Sequence, residues 1–152
     1  MKKVVGLVLL AGAASVGWRW LSSRGAYKAY EGFAEAWAQE KRAVAAQYGD
    51  EAAIRHAFEE KPLRGNAGGN MMEAFRGTRY AVESKHRSDG GDFVFVVSQT
   101  IFFDPPGVTS GIGGAMLARY RDEATVRKAD DGWRVVAFEP TYLEMKEIRR
   151  GR

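Results

Sequence analysis

Two alternating runs near the C-terminus flank the dipeptide Asp131-Gly132. The first, 116–128, reads Met-Leu-Ala-Arg-Tyr-Arg-Asp-Glu-Ala-Thr-Val-Arg-Lys; the second, 133–143, reads Trp-Arg-Val-Val-Ala-Phe-Glu-Pro-Thr-Tyr-Leu. Asp-Gly tolerates the positive φ angles of a tight turn, so 116–143 predicts a β-hairpin. The remaining strands must pair outward from it, and any helices must pack on its sheet. Strand parity puts Tyr120, Asp122, Ala124 and Val126 on one face, with Arg119, Arg121, Glu123 and Arg127 on the other. On the returning strand, Glu139 falls in phase with Trp133, Val135 and Ala137.

Two further strands precede the hairpin. Residues 78–87 alternate, with Tyr80, Val82, Ser84 and His86 opposite Arg79, Glu83, Lys85 and Arg87. Ser88-Asp89-Gly90-Gly91 is a turn. Residues 92–104 open with Phe93, Val94, Phe95, Val96 and Val97, apolar on both faces, which predicts a central strand covered on both sides.

The N-terminal half reads as helix. Tyr30, Phe33, Trp37, Lys41, Val44 and Tyr48 recur at three-to-four spacing, with Ala34, Ala38 and Ala45 on the same side. A single long helix over 27–48 is expected, closed by Gly49. Asp50 is a good N-cap for a second helix, 51–61, which Pro62 stops. The stretch 62–69 is Gly-rich loop, and Asn70 to Glu73 predicts one helical turn closing at Gly77. Helices first and strands afterwards give an α+β fold: a long N-terminal helix and shorter helices packed on a curved four-stranded antiparallel sheet.

Residues 1–23 differ in kind. Met1-Lys2-Lys3 leads into an apolar run that ends at Trp18-Arg19-Trp20-Leu21. A charged start, an apolar middle and the Ala11-x-Ala13 pattern suit a secretory signal peptide. The 18 residues 4–21 also reach the lower limit of a membrane-spanning helix, about 17–25 residues. Val4, Leu7 and Leu10 would then lie in lipid, with Trp18 and Trp20 at the interface. The girdle of Trp18, Arg19 and Trp20 favours the anchor. Either way 24–152 forms the domain. It is expected on the periplasmic side of a bacterial inner membrane, or secreted after cleavage.

Of the net charge of +4, Lys2, Lys3 and Arg19 supply three units, so the domain is nearly neutral. It therefore lacks the electrostatic footprint of nucleic-acid binding. The chain has no Cys, which removes a disulfide framework and thiolate metal sites. His56 and His86 fall on different elements without ligand spacing, so neither a metal nor a cofactor is expected.

The aromatic opening helix, the Gly49-Asp50 step into a shorter helix, and Ala-Asp-Asp-Gly-Trp-Arg-Val-Val-Ala-Phe at 129–138 together resemble the nuclear transport factor 2-like superfamily, including SnoaL-like proteins, over about 26–143. The short 61–69 loop departs from that pattern and also suits a cystatin-like relative. The resemblance implies a cone whose open end holds a small molecule, serves as a partner surface, or does neither.

In such a cone Asp122 or Glu139, among apolar groups, would have a raised pKa and act as a proton-transfer base with Tyr30 nearby. Trp37, Tyr120 and Trp133 would line the pocket. No nucleophile elbow or phosphate loop is present. The preferred expectation is a non-enzymatic exported or membrane-anchored domain, working by contact with a protein partner or second copy, or by binding a small apolar ligand. The alternatives are a cone-pocket isomerase, hydratase or hydrolase, and an assembly component of a membrane complex such as a secretion system.

Overall fold

The computed structural model describes residues 23–63, 75–104 and 115–148. The expected apolar N-terminal helix, with Val4, Leu7, Leu10, Trp18 and Trp20, lies outside the described residues. Four strands, β1 (Phe75–Arg87), β2 (Phe93–Phe103), β3 (Ala115–Ala129) and β4 (Gly132–Ile148), form one antiparallel sheet in the order β1-β2-β3-β4. Ala129 pairs with Gly132, so the hairpin turn consists of Asp130 and Asp131. The positive φ falls one residue later, on Gly132, at 138°. Phe75 to Gly77, expected to close a helical turn, belong instead to β1.

β2 gives the sheet its inside. Phe93, Phe95, Val97, Gln99, Ile101 and Phe103 alternate inward and are buried. Opposite them in register stand Val126, Ala124, Asp122, Tyr120, Ala118 and Met116 of β3. The other face of β2 is only partly covered: Val96 is buried, but Val94, Ser98, Thr100 and Phe102 are half-buried. Around that face run cross-strand ion pairs, Arg121 to Glu83 at 2.9 Å and Arg119 to Glu144 at 2.9 Å.

The expected α+β fold with its long helix over 27–48 is overturned. The structure is mostly sheet, with one helix of 16 residues, α1 (23–38), and short ones: α2 (Arg42–Ala45) and α3 (Glu51–Arg55). α1 ends in a Schellman-type turn. The Lys41 N–H donates to Ala36 O at 2.8 Å and the Glu40 N–H to Trp37 O at 2.9 Å. Glu40 takes φ 53° there, a position usually given to glycine. Beyond this break the apolar stripe fails as a stripe: Lys41 is exposed and Val44 is 38% exposed.

The chain then doubles back. Tyr48 lies against Gly32, where an added Cβ would stand 2.5 Å from the ring. In a straight helix these two residues would be ~24 Å apart. Gly49 forms a parallel bridge to Val135, and Asp50 N donates to Val135 O at 2.9 Å. The reversal thus fastens the helical region to the edge of β4.

Asp50 caps α3, its Oδ1 accepting from Ala53 N at 2.8 Å. The helix continues as a π-turn, His56–Glu60, in which Lys61 N donates to His56 O at 2.9 Å. Pro62, the next residue, has no N–H to offer Ala57 O. The buried Trp37 indole takes that role, donating to Ala57 O at 3.0 Å and Lys61 O at 3.1 Å.

Candidate functional site

α1 lies on the inner face with Ala26, Tyr30, Phe33, Ala34 and Trp37 buried against the sheet. Its alanines let the backbone approach closely, so the aromatic side chains interdigitate. Trp37 meets Tyr120 edge-on at 5.1 Å and Phe138 at 5.5 Å, and Phe33 meets Phe138 at 5.2 Å. Tyr30 meets Tyr80 at 5.8 Å and Phe95 at 6.4 Å.

At the centre of this wall is Asp122, 0% exposed. Its Oδ2 accepts from the Tyr30 hydroxyl at 2.7 Å, and Oδ1 has no partner. Burial pushes the carboxyl up to about 7, while the Tyr30 hydrogen bond pulls the other way. Burial and the adjacent carboxylate raise the Tyr30 hydroxyl far above its ordinary value. At neutral pH the pair is a phenol donating to a carboxyl poised between its acid and its conjugate base.

Three neutral groups share this face. Tyr80, Gln99 and Tyr120 stand directly opposite one another across β1, β2 and β3, and Asp122 is one row further along β3. Gln99 Nε2 donates to Ala34 O at 3.4 Å. Among the described residues the Tyr80 and Tyr120 hydroxyls and Gln99 Oε1 are buried and make no well-formed hydrogen bond, although the Tyr80 hydroxyl stands close enough to Thr78 and Gln99 to interact weakly with both.

Tyr30, Trp37, Tyr120 and Asp122 are therefore brought together. Glu139 and Trp133 are not. The parity reading assumed an unbroken β4. Val126 pairs with Val135 but Thr125 with Ala137, so Val136 is an extra residue in a bulge. Beyond it, inward phase passes to Phe138 and Pro140, and Glu139 turns away. Its Oε2 meets His56 Nε2 at 2.6 Å and its Oε1 meets Lys61 Nζ at 2.8 Å. Lys61 first, then His56, hold its carboxyl below the usual range. Trp133 sits near the hairpin turn, 5.4 Å from Phe93 and under Lys128 Nζ at 5.4 Å. It is six residues along the ladder from Asp122 by way of its partner Lys128, about 20 Å.

His56 forms a second, more exposed cluster: Nδ1 meets Glu60 at 2.7 Å while Nε2 meets Glu139. Donation from its ring N–H groups to Glu139 and then to Glu60 raises its pKa. Beside it a shallow groove of about 240 Å³ is lined by Ala52, Ala53, Val136, Ala137 and Phe138. Among the described residues no group of three His, Asp or Glu side chains is placed to hold a metal ion.

Gln99 was missed from the sequence, although it lies in phase with Phe93, Phe95, Val97, Ile101 and Phe103. A polar residue in step with a buried run is the available signal. The comparisons add no relative: no family model, curated protein or solved structure matches this chain.

Proposed function

We propose that the chain is an exported or membrane-anchored domain that acts by contact with another protein rather than by turnover. The observation that carries this reading is the enclosure of Asp122. The pair with the makings of an acid–base centre has no solvent access, and rings from α1 and the sheet close over it. A reacting atom must come within hydrogen-bond reach of a general base. Here that requires α1 to lift from the sheet. The outward face of β2, by contrast, offers Val94, Ser98, Thr100 and Phe102 at half burial beside paired charges, a mixture suited to a protein partner. Delivery to the membrane rests on 1–23; no described helix is long and apolar enough to cross one.

The test is site-specific photocrosslinking of the full-length chain in native membranes, with the probe at Thr100 or, as a control, at exposed Glu59 on the π-turn. One stoichiometric adduct from Thr100 and none from Glu59 is expected. No adduct from either position would remove this reading.

A second reading keeps Asp122 as a proton-transfer base, favoured by the 2.7 Å bond from Tyr30 and a carboxyl titrating at about 7. Turnover of a small carbonyl substrate that disappears in Asp122→Asn would establish it in place of the first.

A further inference from the structure

The inner face of the sheet holds more hydrogen-bonding capacity than its own residues use. Among the described residues four buried atoms make no well-formed hydrogen bond, and all four belong to two adjacent rows of one face: Tyr80 Oη, Gln99 Oε1, Tyr120 Oη and Asp122 Oδ1. Buried polar groups are nearly always paired, because an unmade bond costs the desolvation of the group. Scattered orphans could be local imperfections. Four on neighbouring ladder positions, three of them on residues with no exposed surface, form a coherent feature.

Their chemistry is complementary to one kind of guest. Tyr80 and Tyr120 each bring a hydroxyl that donates and accepts, Gln99 brings a carbonyl that accepts, and Asp122 brings a carboxyl oxygen. Asp122 is the one acid on these two rows, Glu35 acting on Tyr80 from the exposed side of α1, and the walls are the rings of Tyr30, Trp37 and Phe95. Among the described residues no Lys, Arg or His hydrogen-bonds to any of the four, so they offer an anion no charged donor. A cation would have to shed its hydration beside one carboxyl and aromatic walls.

We propose that Tyr80, Gln99, Tyr120 and Asp122 form an interior binding site for a small neutral molecule that both donates and accepts hydrogen bonds. Water and an alcohol of one or two carbons share that chemistry. A buried water commonly makes about three such bonds, and the four groups supply that number with one to spare. This site stands independently of the protein-contact reading, which concerns the opposite face of the sheet.

A crystal structure of the full-length chain in detergent, at a resolution that shows ordered solvent, tests it. A density peak is expected within hydrogen-bond distance of at least three of the four groups. Soaking in ethanol separates the two sources: a peak that takes the shape of ethanol identifies an alcohol site, and an unchanged peak identifies water. Hydroxyls of Tyr80 and Tyr120 turned directly onto Gln99 and Asp122, with nothing between, would overturn the proposal. So would an anomalous peak after a rubidium soak, which would mean a cation site.

Thermal unfolding of the same chain gives a readout that does not need crystals. Tyr80→Phe and Tyr120→Phe each delete one hydroxyl and keep the ring. If the hydroxyls hold a guest, each variant lowers Tm, by about 2–4 °C for each bond lost in a domain of this size. The double variant then loses less than the sum, because both act on one guest. If the hydroxyls are idle, removing them relieves a buried polar group, and an unchanged or raised Tm in both variants defeats the proposal.

Discussion

Asp122 dominates the residue scale. Its carboxyl titrates at about 7 in the folded chain, against about 3.9 when unfolded. The folded form therefore holds a proton over a range where the unfolded form has lost it. The contribution of this one group to stability is full below about pH 4, falls as pH climbs towards 7, and is gone above that. Three units correspond to a loss on the order of 4 kcal/mol. Asp122→Asn keeps an acceptor for Tyr30 and cannot ionise. Urea unfolding at pH 4.5, 6 and 8 should show a steep decline in stability in the parent chain, a much shallower one in the variant, where only the His56 contact still titrates, and the variant more stable at pH 8. A parent chain equally stable at all three would show that the carboxyl is not enclosed. Tyr30→Phe removes the one donor to Asp122 among the described residues and is expected to cost about 1–3 kcal/mol, read by the same denaturation at pH 6.

At the element scale, the reversal after α1 gives a substitution whose sign is diagnostic. In an uninterrupted helix, Gly32→Ala would stabilise by about 1 kcal/mol through helix propensity. With Tyr48 folded back, the new methyl meets the ring at 2.5 Å, and overpacking of this kind costs about 1–3 kcal/mol. The close contact should win, so Gly32→Ala lowers Tm. The helix end was hard to read in advance for a physical reason. Glu40 takes a backbone conformation that glycine marks and glutamate does not, and three-to-four spacing continued by chance across the break to Val44 and Tyr48. Asp50 was legible because a capping carboxylate before Glu-Ala-Ala-Ile-Arg is a local signal. The His56 cluster was not, since it joins the π-turn after α3 to β4 across 83 residues. Its histidine should titrate above 6.5 by NMR, and Glu139→Gln should bring it down. The raised pKa means this contact stabilises below about 6.5 and fades as pH rises through the folded value. Its exposure keeps the effect within about 1 kcal/mol.

For the whole molecule, alternation and turn residues located all four strands, because each pairs only with its sequence neighbour. What alternation did not reveal are the extra residues Arg76, Glu83, Val136 and Leu143, all on the two edge strands. Each bulge shifts side-chain phase, which is why Tyr120 and Asp122, on unbulged β3, were placed with their neighbours and Glu139 was not. Membrane attachment belongs to this scale as well. The intact chain, with Met1 retained, is expected to stay with membranes through a carbonate wash. Removal of 1–22 should release it, as fractionation with mass spectrometry of the N-terminus would record.

The sheet is a run of neighbouring hairpins, whereas α1 rests on residues far along the chain. Tyr30 and its partner Asp122 are 92 residues apart. At a synthesis rate of about 5–20 residues per second, the helix waits ~5–20 s on the ribosome before its seat exists. Throughout that delay Tyr30, Phe33 and Trp37 have no home in the nascent chain. The first part of the domain to be made is thus the last to be finished, and whatever shelters those three rings meanwhile decides how much of the protein arrives folded.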